Sequence, residues 1–263
     1  MVSKKYKTQK DSKTGLLRII ALKDFSDVKK GDKGGLIEKE ENLSQEGNCW
    51  VYCNAQVFRS AQVYGEASVS GNAKVFGSAQ VYGEASVSGN AQVCGEAQVY
   101  YKAQVYDNAQ VCGEAQVYGE ASISGDAKVY YKAKVFGSAQ VYDNAKVYYK
   151  AKVYDNAQVC GEAQVYGEAS ISGDAQVYYK AQVYGEASIS GDAQVYYKAQ
   201  VFGSAQVYDN AQVCGEASIS GNAEINGAVK IIDIPISSKY VDLAKVDKYC
   251  KDMRSVRKLY GKP

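Results

Sequence analysis

The recurring word Cys-Gly-Glu sets a carboxylate two residues after a thiol, as in Cys112 with Glu114 and Cys160 with Glu162. A carboxylate beside a thiol can supply a general base or a nucleophile, since a base must take a proton as the nucleophile attacks. In a chain of 263 residues with no histidine, these pairs are the candidates for acid–base chemistry. The missing histidines also argue against a metal site, and none of the seven cysteines forms a CxxC pair. CWVYC, from Cys49 to Cys53, leaves three residues between its thiols. Glu114 and Glu162 also have a plainer reading as solvated charges. The expectation carried forward is that no residue is catalytic, none binds a metal and no cofactor is held.

The elements that hold these residues follow from an internal period. YGEASISGDAQVYYKAQV, beginning at Tyr166, is repeated at once as the next 18 residues. From Asn54 to Gly227 the chain divides without remainder into 29 six-residue words, with alanine second and valine or isoleucine fourth in each. Alternation within a word (Ala in, Gln out, Val in, Tyr out) is a short strand. The Gly-Glu, Asp-Asn or Gly-Asp that follows is turn chemistry, suited to positive φ. The 18-residue copy is three words, so three strands close one coil and the section is triangular. About ten coils, stacked ~4.8 Å apart as parallel ladders, make a rod roughly 48 Å long. Val and Ile fill its axis with Ala beside them, and no proline interrupts the ladders.

The pattern V-x-G-x-A-x resembles the hexapeptide repeat of parallel β-helices found in many bacterial acyltransferases. The resemblance implies a left-handed coil. The N-terminal LLRIIALKDFSDVKKGDKGG followed by LSQEGNCWVYCNAQVF is similar to the start of the uncharacterised bacterial YdcK-type hexapeptide proteins. The acyltransferases of this class place a histidine as general base and wall the site with a protruding loop. This chain has no histidine, and its 29 words run without an inserted residue. The expectation is therefore a non-enzymatic structural or protein-interaction scaffold. Acyl-coenzyme A-dependent acyl transfer is the alternative, and glycan binding a second one.

Sorting words by coil position identifies the surface such a scaffold would use. One face carries Tyr64, Tyr82, Tyr100, Tyr118, Phe136 and Tyr154; another runs through Tyr130, Tyr148, Tyr166, Tyr184 and Phe202. In-register rings stabilise stacked strands by themselves. They also form the kind of extended aromatic surface that marks an interface. These eleven residues are the expected partner-binding set, for self-association, another protein or a glycan. Cys94 and Cys112 share the second face in adjacent coils and are expected to be thiols, as are the other cysteines of a cytoplasmic protein. The Tyr-Lys pairs at 131–132, 149–150, 179–180 and 197–198 read as rings covering lysine stems.

Charge and hydropathy exclude two partners. Residues 54–227 hold 11 Lys+Arg against 17 Asp+Glu, which disfavours nucleic acid. No apolar run approaches the ~20 residues of a membrane span. The ends depart from the words, as covers on an open solenoid must. Residues 1–47 read as a disordered start and a small β cap, and 48–232 as the β-helix. Residues 233–263 read as a C-terminal cap with an amphipathic helix carrying Leu243, Val246, Cys250, Met253 and Tyr260.

Overall fold

The computed structural model describes residues 4–237. Each word supplies one two-residue strand, and strands three words apart pair in parallel. Gln92 lies against Gln110 and Val93 against Val111, with the Gln92 N–H donating to the Ala109 carbonyl at 2.9 Å. That register, repeated, builds an all-β solenoid of about 11 turns with sheets of 14, 11 and 10 strands. Helix among the described residues amounts to one 3-10 turn, Glu40–Asn42. The alanine and the valine or isoleucine of each word form two adjoining buried columns; Ala109, Val111, Ala127 and Val129 are all 0% exposed. Small and β-branched side chains suit this axis because three strands leave little width between them.

Corners turn on a residue at positive φ, usually glycine. At Gly113 (φ +75°) an added Cβ would lie 2.9 Å from the Tyr131 Cα in the next coil. Tyrosine occupies the same corner position at Tyr131 (φ +62°) and Tyr149 (φ +61°). An L side chain there costs about 1–2 kcal/mol relative to glycine.

The N-terminal end is closed by a meander. Strand β1 (Tyr6–Lys10) pairs antiparallel with β2 (Leu17–Ala21), and β2 with β3 (Lys33–Ile37). Strand β3 then turns parallel to the first coil, Leu36 against Gln56 and Ile37 against Val57. Part of the start that the sequence reads as disordered, Tyr6–Lys10, is thus an edge strand. Tyr6 explains why, being fully buried with its hydroxyl on the Leu43 carbonyl at 2.7 Å and its ring against Trp50. At the other end Pro235–Ile236 is the last strand of the 14-stranded sheet, where a residue without N–H ends a ladder. The expected C-terminal helix lies outside the described residues.

One expectation about the cysteines is corrected. Cys94 and Cys112 are joined in a disulfide, with Cα atoms 4.6 Å apart. Being equivalent positions of successive coils, they are brought by the ladder to a spacing a disulfide spans. Cys49, Cys53, Cys160 and Cys214 are free.

Candidate functional site

The outward side chains form columns, and the columns form the surface. Tyr64, Tyr82, Tyr100, Tyr118, Phe136 and Tyr154 stack face to face with centroids 4.8–4.9 Å apart. On the next face Tyr130 stacks on Tyr148 at 5.5 Å, and Tyr166, Tyr184 and Phe202 form a second run. All eleven rings are half-buried, each with at least one face covered by a stacked ring. Burial and the neighbouring phenols Tyr118, Tyr82 and Tyr101 push Tyr100 up to about 12.

The most exposed rings stand elsewhere, at corners: Tyr101, Tyr131, Tyr149, Tyr179 and Tyr197. Tyr131 stacks on Tyr149 at 4.9 Å and Tyr179 on Tyr197 at 5.1 Å. The lysines beside them reach glutamates one coil away: Lys132 to Glu114 at 3.3 Å, Lys150 to Glu168 at 2.6 Å, Lys180 to Glu162 at 3.5 Å, Lys198 to Glu216 at 2.8 Å. The stems therefore serve ion pairs, a role the sequence reading did not give them.

A polar groove of about 590 Å³ runs beside one corner column. Asn108, Asp126, Asn144 and Glu162 form one wall; Gln110, Lys128, Lys146 and Gln164, on adjacent strands, form the other. It brings two carboxylates and two amines together along four coils. The two thiol–carboxylate pairs fare differently. Cys112 is spent in the disulfide. Burial raises the Cys160 thiol pKa, outweighing the opposite effect of its hydrogen bond with Tyr142, so no activated thiolate is prepared. Glu162 lines the groove, and Glu114 lies at the Tyr131 corner.

Under the N-terminal meander, Lys5 is buried with its ammonium on the Cys49 carbonyl at 2.9 Å and the Cys49 Sγ at 3.2 Å. It also donates to the Glu46 and Gly47 carbonyls, groups with no coil above to pair them. Desolvation lowers its pKa. This is a structural plug that residue type alone did not signal. Among the described residues no cluster of three His, Cys, Asp or Glu is placed to hold a metal, and no helix is long and apolar enough to cross a membrane.

Three strands per coil, an 18-residue register and buried Ala and Val at fixed places decide the class. The coil is of the hexapeptide-repeat β-helix type. No family profile matches the chain. A curated relative, the uncharacterized acetyltransferase YdcK of Escherichia coli (strain K12), is 46% identical over 68 residues near the N-terminus. The match covers 25% of this hexapeptide-repeat chain and 21% of that protein. The relative's name and the hexapeptide-type coil of this chain overturn the expectation of a non-enzymatic scaffold. The absence of histidine led to that expectation, but it removes one kind of base and leaves carboxylates available.

Proposed function

We propose that this protein is an acyltransferase of the hexapeptide class, moving an acetyl group from a thioester donor to an amine or hydroxyl acceptor. The observation that carries this is the 46% identity to a protein named an acetyltransferase, supported by the repeat-built coil. The left-handed winding and triangular section of that class belong to the same proposal. The 590 Å³ groove offers the chemistry. Among the described residues Asp126 lines it outside any ion pair, whereas Glu162 is engaged by Lys180 at 3.5 Å. Asp126 takes the acceptor's proton as its nitrogen or oxygen attacks the acyl carbon. The C–S bond then breaks, and the proton passes to the departing thiolate.

Incubation of the full chain with acetyl-coenzyme A and a panel of amine and hydroxyl acceptors tests this. Release of free thiol should match acetyl gained by one acceptor, falling at least a hundredfold in Asp126→Asn and less in Glu162→Gln. Thiol release no faster than in buffer, across the whole panel, would sink the proposal.

A further inference from the structure

The strand wall of the polar groove carries glutamine at Gln110 and Gln164 and lysine between them, at Lys128 and Lys146. The two lysines lie directly against each other in the ladder. Like charges in register destabilise a sheet, and the glutamines on either side show that the fold does not require them. A second lysine pair in register, Lys134 with Lys152, has an answering carboxylate, since Lys152 acts on Glu168. Lys128 and Lys146 have none. Among the described residues neither ammonium is in an ion pair or a hydrogen bond, although both side chains are half-buried. A local rule broken without compensation inside the fold marks a place where something else is gained.

The carboxylate that could answer them stands close by and is held apart. Asp126 and Lys128 leave the same face of one word, with the buried Ala127 between them, ~6.6 Å apart along an extended chain. Among the described residues Asp126 joins no ion pair either, while Glu162 at the end of the groove is engaged by Lys180. The centre of the groove therefore sets one free carboxylate beside two free ammonium groups. A ligand with only an amine would leave the lysines repelling each other, and a ligand with only an anion would meet Asp126. Charge complementarity is complete only for a molecule that carries both signs.

We propose that the acceptor bound in this groove is zwitterionic, with its amine on Asp126 and an anionic group, a carboxylate or a phosphate, a few bonds away on Lys128 and Lys146. This inference rests on the acyl-transfer reading for the role of Asp126 and adds the substrate class. Lysine meets either anion as a point charge on a flexible stem, and one anion between the two ammonium groups relieves their repulsion. Acetylation of the amine removes the acceptor's positive end. The product thus loses its charge contact with Asp126 and keeps only the anion's hold on the lysines, which favours its release.

Calorimetric titration of the full chain with free amino acids, one at a time and without an acyl donor, tests this, with phosphoethanolamine titrated beside them. At least one of these molecules should saturate the protein at millimolar concentration. The same molecule stripped of its anion or of its amine should bind at least tenfold more weakly, as the loss of a charge-assisted hydrogen bond requires. Tighter binding of phosphoethanolamine than of any amino acid identifies the anion as a phosphate, and weaker binding identifies it as a carboxylate. The variant Lys128→Gln/Lys146→Gln carries the residue of the adjacent coils and so keeps a fold the chain already uses. In it the zwitterion should bind no better than its anion-free counterpart. Three results would each overturn the proposal: no saturation by any of these molecules, equal binding of the anion-free amine by the parent, or a tenfold preference for the zwitterion that survives in the glutamine variant. The two readings fail separately. Acyl transfer to simple amines with no preference for zwitterions removes the zwitterion and leaves the enzyme, whereas zwitterion binding without thiol release removes the enzyme and leaves the binding site.

Discussion

At the scale of single residues, tyrosine governs how this protein responds to pH. Tyr100 and Tyr178 are pushed up to about 12 by burial and by neighbouring phenols, and Tyr142 to about 12 by its hydrogen bond with Cys160 and by burial. A phenol whose folded pKa is raised binds its proton more tightly when folded. Its contribution to stability is complete below the unfolded value of 10 and is lost as pH rises from 10 through about 12. The buried Lys5, whose pKa desolvation lowers, works in the opposite direction, but it is one group against many. Denaturation midpoints should therefore fall steeply above pH 10, in step with phenolate absorbance. Midpoints that stay flat to pH 12 would show that the stacked phenols titrate alike in both states. The corner tyrosines matter less for stability. Replacing Tyr131 by glycine relieves about 1–2 kcal/mol of backbone strain and forfeits a ring pair worth about 0.5–1.5 kcal/mol. The two nearly cancel, so that variant should unfold close to the parent's midpoint.

At the scale of the element, the unit is one coil, held to the next by parallel strands of only two residues. Such short ladders gain from a staple, and the Cys94–Cys112 disulfide ties successive coils at a sequence separation of 18. Closing a loop of this size is worth roughly 3 kcal/mol by the chain-entropy argument. Reduction, or Cys94→Ser/Cys112→Ser, should lower the thermal midpoint of the parent by several degrees, with no further effect of reductant on the double variant. A parent midpoint indifferent to reductant would mean that the stacked sheets alone hold these coils. The coil frame was legible in Ala55, Val57 and their counterparts at every sixth position, because burial on a narrow axis admits few residue types. The corner ion pairs were less so. Lys132 and Glu114 are 18 residues apart, and nothing in the period says which neighbour a flexible lysine chooses.

At the scale of the whole molecule, the open end of each sheet is the hazard. Strand β3 lies on the first coil through Leu36 and Ile37, and the buried Lys5 occupies carbonyls that no further coil covers. Removing residues 1–47 should bare these groups and drive end-to-end association, read as a concentration-dependent rise in mass by light scattering. A truncated chain that keeps the parent's mass at every concentration would mean the first coil closes itself. The partner-binding role of the Tyr64–Tyr154 and Tyr130–Phe202 columns is a separate proposal. The same measurement on Tyr82→Ser/Tyr100→Ser/Tyr118→Ser tests it, with a fall in mass expected if copies associate there.

The sequence by itself determined the coil: six-residue words with invariant Ala and Val or Ile dictate which side chains go inward, and an 18-residue copy dictates three strands per turn. It could do so because a repeat fold reuses one local rule, and burial applies that rule at every word. Only the tertiary structure decided what faces what across coils. It joined Cys94 to Cys112, turned Lys132 and Lys150 toward glutamates, left Tyr131 and Tyr149 bare between two glycines, and opened a groove between Asp126 and Lys146. These arrangements depend on side chains 18 residues apart meeting at strand spacing. Residue type limits such meetings, but three-dimensional register selects among them.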